Sequence, residues 1–191
     1  IVMMVDIKTP EKEIINLINL YKPAFVVGPT KVIEQSTLNL NDRFDKNYEY
    51  STYKTSYKNN NKINKSTSLL LPTSGSMGSP KFVKLTKVNL KFNSEAIIKY
   101  LDIRSSDRAI TTMPFSYSYM ISIINTHLDK GSSIYVTNHS IMQKEFWSIY
   151  KKNKITSLSG VPYMYKIFLK LGLKNLYTAS LKIFTQAGGN L

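Results

Sequence analysis

The residues that could do chemistry are concentrated in one segment, from Leu69 to Thr86, which reads LLLPTSGSMGSPKFVKLT. An apolar run leads into a Ser/Thr/Gly loop, which Pro80 and Lys81 close before a second β-prone run. Small residues let backbone N–H groups approach an anion, hydroxyl groups add hydrogen bonds, and a lysine adds positive charge. This composition predicts a binding loop for a polyphosphate.

The spacing of the loop excludes two common phosphate-binding motifs. Gly75 and Gly78 are too close together for the P-loop, and Lys81 does not follow a glycine. The dinucleotide fingerprint needs three glycines that open a helix. The stretch 73–81, TSGSMGSPK, instead closely resembles the phosphate-binding loop of the adenylate-forming superfamily, whose usual form is T-S-G-T-T-G-x-P-K. That superfamily contains acyl-CoA synthetases, luciferases and peptide-synthetase adenylation domains.

The resemblance assigns nucleotide binding to the loop at 72–81. Its members are Thr73, Ser74, Gly75, Ser76, Met77, Gly78 and Lys81. The glycines permit close backbone approach, the hydroxyls can donate to phosphate oxygens, and Met77 replaces a usual hydroxyl, which removes one donor. Lys81 is the candidate catalytic residue, because its charge can stabilise departing pyrophosphate. The alternative is an ordinary Gly/Ser turn between two strands.

A second segment, 113–120, resembles the family motif P-x-x-H-x-x-G, which borders the carboxylate pocket. Tyr117 stands where the family often has histidine, and Met120 where it often has glycine. Tyr117 is therefore a candidate contact for the acid substrate, with a simple core tyrosine as the alternative. The absence of acidic residues between Thr111 and Leu128 disfavours an α-amino acid and favours a neutral acyl or aryl acid.

Two further segments resemble family turns. Residues 157–163 are similar to the strand-to-helix crossing T-x-x-x-V-P, and residues 184–191 are similar to the turn S-G-G-x-x-L. In relatives that turn lines the adenine and acyl pockets, which implies nucleotide contacts for Gly188, Gly189 and Asn190 and a substrate contact for Gly188. The alternative is a plain turn at a strand end, because Gly-Gly is a common loop signal.

The elements that would position these residues alternate between strand and helix. Thr9 and Pro10 predict the N-cap and first position of a helix to about Leu20, followed by a short buried strand at 24–27. The segment from about 39 to 68 is polar and predicts a surface loop, with a short strand near Tyr48 to Tyr53.

The rest of the chain repeats the alternation. Strands are predicted at 69–72, 82–86, 109–113, 133–137, 155–158 and 181–185. Helices are predicted at 86–101, 118–128, 141–152 and 162–171, the first capped by Thr86 with inward-facing Leu90, Ala96, Ile97 and Leu101. This rhythm predicts an α/β fold with a mostly parallel sheet flanked by helices. The resemblance implies part of the large N-terminal domain of an adenylate-forming enzyme.

Several conspicuous side chains have plain structural interpretations. His127 and His139 stand far from any paired carboxylate, so His127 is expected to be packed or solvated. Trp147 and the aromatic segment 163–168 are expected in the core.

Composition narrows the class of protein. The 191 residues are 42% hydrophobic and 12% aromatic, which is typical of a globular domain. No apolar run approaches a membrane span, and the count of 0 cysteines excludes disulfides and thiolate metal sites. The net charge of +14 reflects lysine spread along the chain, so we expect no nucleic-acid partner.

The resemblance also carries expectations about the whole protein. Residues 1–191 are expected to be a partial N-terminal adenylation domain, inactive alone, with the Mg²⁺-binding glutamate and the C-terminal catalytic-lysine domain outside them. The full-length protein is expected to join a carboxylic acid to coenzyme A, or to the phosphopantetheine of an acyl carrier protein, using ATP and Mg²⁺. A cytoplasmic location and fatty acid metabolism are further expectations. The alternatives are a nucleotide-binding pseudoenzyme and, more distantly, a basic nucleic-acid-binding module.

Overall fold

The computed structural model describes residues 1–34, 40, 49–57, 64–73, 81–172 and 178–190. Most of the predicted phosphate loop lies outside them, namely Ser74, Gly75, Ser76, Met77 and Gly78. The chain divides into two units, one of residues 1–4 with 66–191 and the other of residues 5–65. No helix in the described part of the chain is long and apolar enough to cross a membrane.

The described strands are β1 Val2–Met3, β2 Phe25–Pro29, β3 Tyr50–Lys54, β4 Thr67–Pro72, β5 Phe82–Thr86, β6 Arg108–Ile110, β7 Ser133–Tyr135, β8 Ser157–Gly160 and β9 Ile183–Gln186. The described helices are α1 Glu11–Tyr21, α2 Thr30–Glu34, α3 Lys87–Leu101, α4 Ser118–Asp129, α5 Lys144–Lys152 and α6 Pro162–Leu171.

In the smaller unit, β2 and β3 form an antiparallel pair in which Phe25 lies opposite Lys54 and Pro29 opposite Tyr50. The strand predicted near Tyr48 to Tyr53 is therefore confirmed as β3. The prediction that the preceding strand is buried is wrong, since Phe25 is 52% and Val27 66% exposed. A two-stranded sheet covers only one face of each strand, so alternate side chains stay in solvent.

The start of α1 also differs from the prediction. Pro10, not Thr9, is the N-cap, with an extended backbone at φ −56° and ψ 142°. The carbonyl of Pro10 accepts hydrogen bonds from the backbone N–H groups of Glu13 and Ile14 at 2.9 and 3.1 Å. The helix thus begins one residue later than predicted, with Glu11 and Glu13 in its first turn, where negative charge is favourable.

In the larger unit, β1, β4 and β5 form a three-stranded sheet. β1 runs parallel to β4, and β4 and β5 are antiparallel from Thr67 opposite Thr86 to Pro72 opposite Phe82. Leu69 and Leu71 of β4 are buried. The two strands predicted on either side of the phosphate loop are therefore a hairpin pair that fixes the two ends of the loop.

The other sheet of this unit is parallel throughout, in the order β7-β6-β8-β9. Helices α4, α5 and α6 alternate with its strands along the chain, as predicted for an α/β fold. β6 ends at Ile110, short of the predicted Met113, and β8 begins at Ser157 and extends to Gly160. After β6 the Thr111 N–H still donates to the Tyr135 carbonyl at 3.0 Å, and the chain then turns at Pro114 toward α4.

Helix α3 has the predicted start. The Thr86 hydroxyl accepts from the Asn89 backbone N–H at 3.0 Å, and the Asn89 side chain accepts from the Thr86 N–H at 3.1 Å. This reciprocal pair is a capping box. The predicted inward position of Ala96 is wrong, since Ala96 is exposed and Ser94 is the buried residue of α3. Leu90, Ile97 and Leu101 are half-buried as the apolar pattern requires.

An aromatic group packs between α5, α6 and β9. The Trp147 ring meets the rings of Phe146, Tyr150 and Phe168 edge-on, and Phe168 is fully buried. The core position predicted for Trp147 is confirmed. The core position predicted for Tyr163 is wrong, because Tyr163 is 71% exposed in the first turn of α6.

Candidate functional site

The carboxyl edge of the parallel sheet brings together three of the segments singled out in the sequence. The segment 111–117 follows β6, Val161 and Pro162 follow β8, and the turn 187–190 follows β9. Carboxyl ends of parallel strands share one edge, and ligands of open α/β sheets bind outside that edge. The fold thus brings residues that lie far apart in the chain to the same edge of the sheet.

Hydroxyl groups from three elements are linked along this edge. The Tyr119 hydroxyl of α4 donates to Thr185 Oγ1 of β9 at 2.7 Å, and Thr185 Oγ1 lies 2.8 Å from Ser159 Oγ of β8. The Thr112 hydroxyl donates to the backbone oxygen of Ser159 at 2.7 Å. None of these residues was a sequence prediction. The available signal was the recurrence of hydroxyl residues where successive predicted strands end.

The turn after β9 has a backbone that favours glycine. Gly188 has φ +95° and Gly189 has φ +145°. A Cβ atom at Gly189 would lie 3.4 Å from Pro162 Cγ, and one at Gly188 would lie 3.7 Å from Val161 Cγ1. The turns predicted at 157–163 and 184–191 therefore pack against each other, with the Ala187 N–H donating to the Gly160 carbonyl at 3.3 Å.

Gly160 allows the tight crossing from β8 into α6. A Cβ atom there would approach Met164 Cβ to 3.3 Å and Tyr165 Cε2 to 3.4 Å. The Tyr165 ring in turn stacks on Phe184 of β9, with centroids 4.7 Å apart. Burial raises the pKa of Tyr165, and the neighbouring Tyr119 raises it further, so its phenol stays protonated at neutral pH.

Tyr117 is the N-cap of α4 and is 48% exposed. Its side chain is therefore not that of a core tyrosine. Its backbone carbonyl accepts from the Ile121 N–H at 3.0 Å, and its own N–H donates to Pro114 at 3.1 Å. Met120, where the family often has glycine, is fully buried against the core. The exposed side chain of Tyr117 thus lies at the start of the helix that follows β6.

The two described ends of the phosphate loop are joined to each other. The backbone N–H and the hydroxyl of Thr73 both donate to the Lys81 carbonyl, at 2.9 and 3.1 Å. The hydroxyl proton of Thr73 is thus used inside the hairpin, although its oxygen can still accept. The Lys81 side chain is exposed.

Charged groups of the larger unit gather at the opposite, amino edge of the sheet. Asp107 is buried just before β6 and accepts hydrogen bonds from the Arg104 N–H at 2.8 Å and the Thr156 hydroxyl at 2.9 Å. Lys182 Nζ lies 3.7 Å from Asp107 Oδ1. This carboxylate is fully engaged in holding strand starts, so we give it no role in chemistry.

His127 is buried in α4, so the packed alternative of the prediction is confirmed. Its Nδ1 lies 2.8 Å from the Ile123 carbonyl, and its Nε2 has no hydrogen-bond partner in the described residues. Burial lowers the pKa of His127, opposed by the bond to Ile123 and by the charge of Asp107. The imidazole is therefore neutral at neutral pH.

Metal binding can be tested against the side chains present. Within residues 1–34, 40, 49–57, 64–73, 81–172 and 178–190, no group of three or more His, Asp or Glu side chains could hold a metal ion. We therefore assign no Mg²⁺ ligand to these residues.

A family model described as AMP-binding enzyme matches residues 1–191. The chain belongs to the AMP-binding enzyme family. Two curated members, feruloyl-CoA synthases from Amycolatopsis and Streptomyces, are each 31% identical over 99 residues, which cover 51% of this chain and 20% of theirs. The hybrid PKS-NRPS synthetase pvhA of Talaromyces variabilis is 26% identical over 110 residues, which cover 56% of this chain and 3% of that protein.

Solved structures of other AMP-binding enzymes share the fold. O-succinylbenzoate coenzyme A synthetase (MenE) from Bacillus subtilis, in complex with AMP, matches with a TM-score of 0.58 at 22% identity, over 65% of this chain and 32% of that one. The N-terminal domain of FACL13 from Mycobacterium tuberculosis matches with a TM-score of 0.57 at 17% identity, over 63% of this chain and 30% of that one. The predicted fold, that of the N-terminal domain of adenylate-forming enzymes, is confirmed.

This AMP-binding enzyme sequence spans about a fifth or less of the curated relatives named above and about a third of the two solved chains. The recognition of the family from its loop and turn motifs is confirmed. The binding roles of the individual residues stay predictions.

Proposed function

We propose that the protein containing this chain activates a carboxylic acid by adenylation. A carboxylate oxygen attacks the α-phosphorus of ATP, the bond from that phosphorus to the pyrophosphate oxygen breaks, and pyrophosphate leaves with the electron pair. The observation that carries the proposal is the meeting of three family motifs at the carboxyl edge of a parallel sheet, in a chain matched over residues 1–191 by the AMP-binding model. Such an edge is where α/β proteins bind their ligands.

In this proposal the loop at 72–81 holds the triphosphate. Its residues are Thr73, Ser74, Gly75, Ser76, Met77, Gly78 and Lys81. The hairpin of β4 and β5 supports the loop by tying Thr73 to Lys81 across its base. The Lys81 ammonium, carried at the end of this hairpin, would stabilise charge on departing pyrophosphate.

The carboxyl edge would hold the acid and the adenosine. Gly188, Gly189 and Asn190 would line the nucleotide pocket with backbone groups, and Gly188 would also border the acid. Tyr117, exposed at the N-cap of α4, would contact the carboxylate side of the acid. Holding acid and ATP in line converts an encounter of two reactants into a single-complex reaction.

The relatives support this class of chemistry. MenE has been solved with AMP, with the acyl-adenylate intermediate OSB-AMP, and with ATP and magnesium ion. ATP is the proposed substrate here. Mg²⁺ would neutralise phosphate charge when bound, but the described residues offer it no ligand group and no step is assigned through it.

The proposed acid is a neutral acyl or aryl acid. No acidic residue lies between Thr111 and Leu128, so this segment offers no carboxylate to an α-ammonium group. The feruloyl-CoA synthases act, by their names, on an aryl acid. We do not propose a role in fatty acid metabolism, because these relatives give it no support.

The proposed second step transfers the acyl group to a thiol. The sulfur of coenzyme A, or of the phosphopantetheine of a carrier protein, attacks the acyl carbonyl, AMP leaves, and the thiol proton passes to solvent. Several relatives are named as coenzyme A synthases or synthetases, and these names support coenzyme A as the acceptor.

The test is exchange of labelled pyrophosphate into ATP by the full-length protein with a panel of acyl and aryl acids. We expect exchange with the cognate acid only. Lys81→Ala should lower exchange about a hundredfold, the order of effect seen when one transition-state stabilising group is removed. The matched control is Lys84→Ala, an exposed lysine on β5. Unchanged exchange in Lys81→Ala removes its role, and ATP binding without exchange for any acid favours a pseudoenzyme.

A further inference from the structure

The linked hydroxyls of Tyr119, Thr185 and Ser159 join parts of the molecule that the sequence keeps far apart. Tyr119 and Thr185 are 66 positions apart, and Ser159 and Thr185 are 26 positions apart. Ser159 is buried, and Tyr119 and Thr185 are half-buried. A hydroxyl held away from water is costly to leave without a partner, so each link is held in place by the others.

Two members of this hydroxyl chain lie next to segments that the proposed function places at the acid. Tyr119 is two positions after Tyr117, in the first turn of α4. Thr185 is three positions before Gly188, on the strand that leads into the glycine turn. Because both intervals are short, the Tyr119–Thr185 bond directly joins the element that carries Tyr117 to the strand that leads into the Gly188 turn.

The surroundings hold the hydroxyl chain from both sides. The Tyr119 ring packs against the buried core of the larger unit. On β9, the residue before Thr185 is Phe184, whose ring is stacked by Tyr165. On β8, Ser159 pairs directly with Thr185 in the parallel ladder, and its carbonyl accepts from Thr112, two residues after β6. The linked residues thus connect α4 to two strands of one sheet, β8 and β9, and to the segment that follows β6.

We propose that Tyr119 is a positioning residue for the acid substrate. Through its hydrogen bond to Thr185 it keeps the Tyr117 turn of α4 in register with the Gly188–Gly189 turn after β9. This inference rests on the proposed function for the identity of the ligand. It does not require Tyr119 to touch the acid.

The first experiment measures kinetics in full-length protein. Tyr119→Phe and Thr185→Val each remove the Tyr119–Thr185 bond, and we expect each to raise the KM for the cognate acid about fivefold, the effect of one ordinary hydrogen bond. The KM for ATP should rise less than the KM for the acid, because in the proposed function the separate loop at 72–81 holds the triphosphate. Thr185→Ser keeps a hydroxyl and should restore the KM for the acid. The control is Tyr163→Phe, an exposed tyrosine of α6 outside the hydroxyl chain.

An equal rise in both KM values, or a Thr185→Ser variant as impaired as Thr185→Val, overturns the proposal. The first outcome means a general loss of structure, and the second means that the methyl groups rather than the hydroxyl matter.

The second experiment needs no activity. The Ala187 amide donates to the Gly160 carbonyl at the start of the glycine turn, so its hydrogen exchange reports the order of that turn. We expect faster exchange in Tyr119→Phe and Thr185→Val, and wild-type exchange in Tyr163→Phe and Thr185→Ser. Unchanged exchange in the first two overturns the positioning role. If these shifts appear while wild-type protein exchanges no pyrophosphate, the proposed function fails and the link between Tyr119 and the turn stands.

Discussion

At the scale of single residues, Gly188 has a backbone conformation that favours glycine and belongs to the proposed nucleotide and acid pocket. Its φ of +95° lies in a region that residues with a Cβ atom rarely adopt. Such strain costs on the order of 1–3 kcal/mol. Gly131 has φ +75° and open space around it, and it precedes β7 at the amino edge of the sheet, so a residue with a Cβ atom would meet comparable backbone strain there.

We therefore expect Gly188→Ala to lower the melting temperature and to raise the KM for ATP and for the acid. Gly131→Ala should lower the melting temperature by a similar amount and leave both KM values unchanged. Calorimetry and steady-state kinetics on the two variants separate backbone strain from damage to the pocket. Wild-type KM values in Gly188→Ala would remove that residue from the proposed site.

His127 makes the stability of the larger unit depend on pH. Burial lowers its pKa in the folded protein below the ordinary value of 6.5. Between the pKa of His127 in the folded protein and its pKa in the unfolded chain, the unfolded chain binds the proton more readily. The contribution of neutral His127 to stability is therefore present above pH 6.5 and is lost as pH falls below it.

Urea unfolding at about pH 7.5 and about pH 5.5 tests this dependence. As the pH is lowered between these values, wild-type protein should lose more free energy of unfolding than His127→Gln. His127 can contribute at most about 1.4 kcal/mol per pH unit to that loss. His139→Gln, at the exposed histidine, should behave like wild type. Equal pH dependence in wild type and His127→Gln would contradict the assignment.

At the scale of elements, the helix α3 begins with a complete capping box. Both bonds between Thr86 and Asn89 lie at the point where β5 turns directly into α3. The cap therefore fixes the direction of the helix relative to the hairpin that supports the proposed phosphate loop.

Thr86→Ala should reduce the free energy of unfolding by about 1 kcal/mol, the usual cost of losing a hydroxyl N-cap. Ser106→Ala, at an exposed turn residue, should be neutral within about 0.5 kcal/mol. Denaturant titrations followed by circular dichroism give both values. A neutral Thr86→Ala would mean that packing of α3, rather than its cap, fixes the start of the helix.

Local signals in the sequence were sufficient for much of this architecture. Thr86 with Asn89, and Pro162 at the first position of α6, mark helix starts that depend only on neighbouring residues. The misplaced cap at Thr9 shows the limit of such signals, because Pro10 can precede a helix as well as open one.

Contacts between distant segments could not be predicted in the same way. The bond between Tyr119 and Thr185 depends on the strand order β7-β6-β8-β9 and on the place of α4 against it, which no short pattern encodes. The prediction that Tyr163 lies in the core was wrong for a related reason. Aromatic residues at helical spacing identify a buried face, but which face that is depends on the packing partner.

At the scale of the whole chain, the net charge of +14 is the most general property. Charge of this size attracts polyanions when ionic strength is low, whatever the specific ligand. In each described ion pair the basic side chain is exposed, as in that of Lys91 with Asp129 at 3.0 Å, and the 26 Lys and Arg residues outnumber the 12 Asp and Glu residues.

We expect the protein to be retained on immobilised DNA at low salt and released near physiological ionic strength, where the Debye length is about 8 Å. Elution of Lys151→Gln and Lys152→Gln variants gives the contribution of two exposed charges. Retention at physiological salt that ATP cannot reverse would favour the nucleic-acid alternative.

The packing of Trp147 has a practical consequence. It is the one tryptophan of the sequence, its indole N–H donates to the Ile141 carbonyl at 2.7 Å, and its ring lies 6.0 Å from that of Phe168. Phe168 in turn lies 5.7 Å from Phe184, on the strand that leads to the glycine turn. Fluorescence of this indole thus provides a label-free optical reporter for small movements of β9 when nucleotide or acid is added.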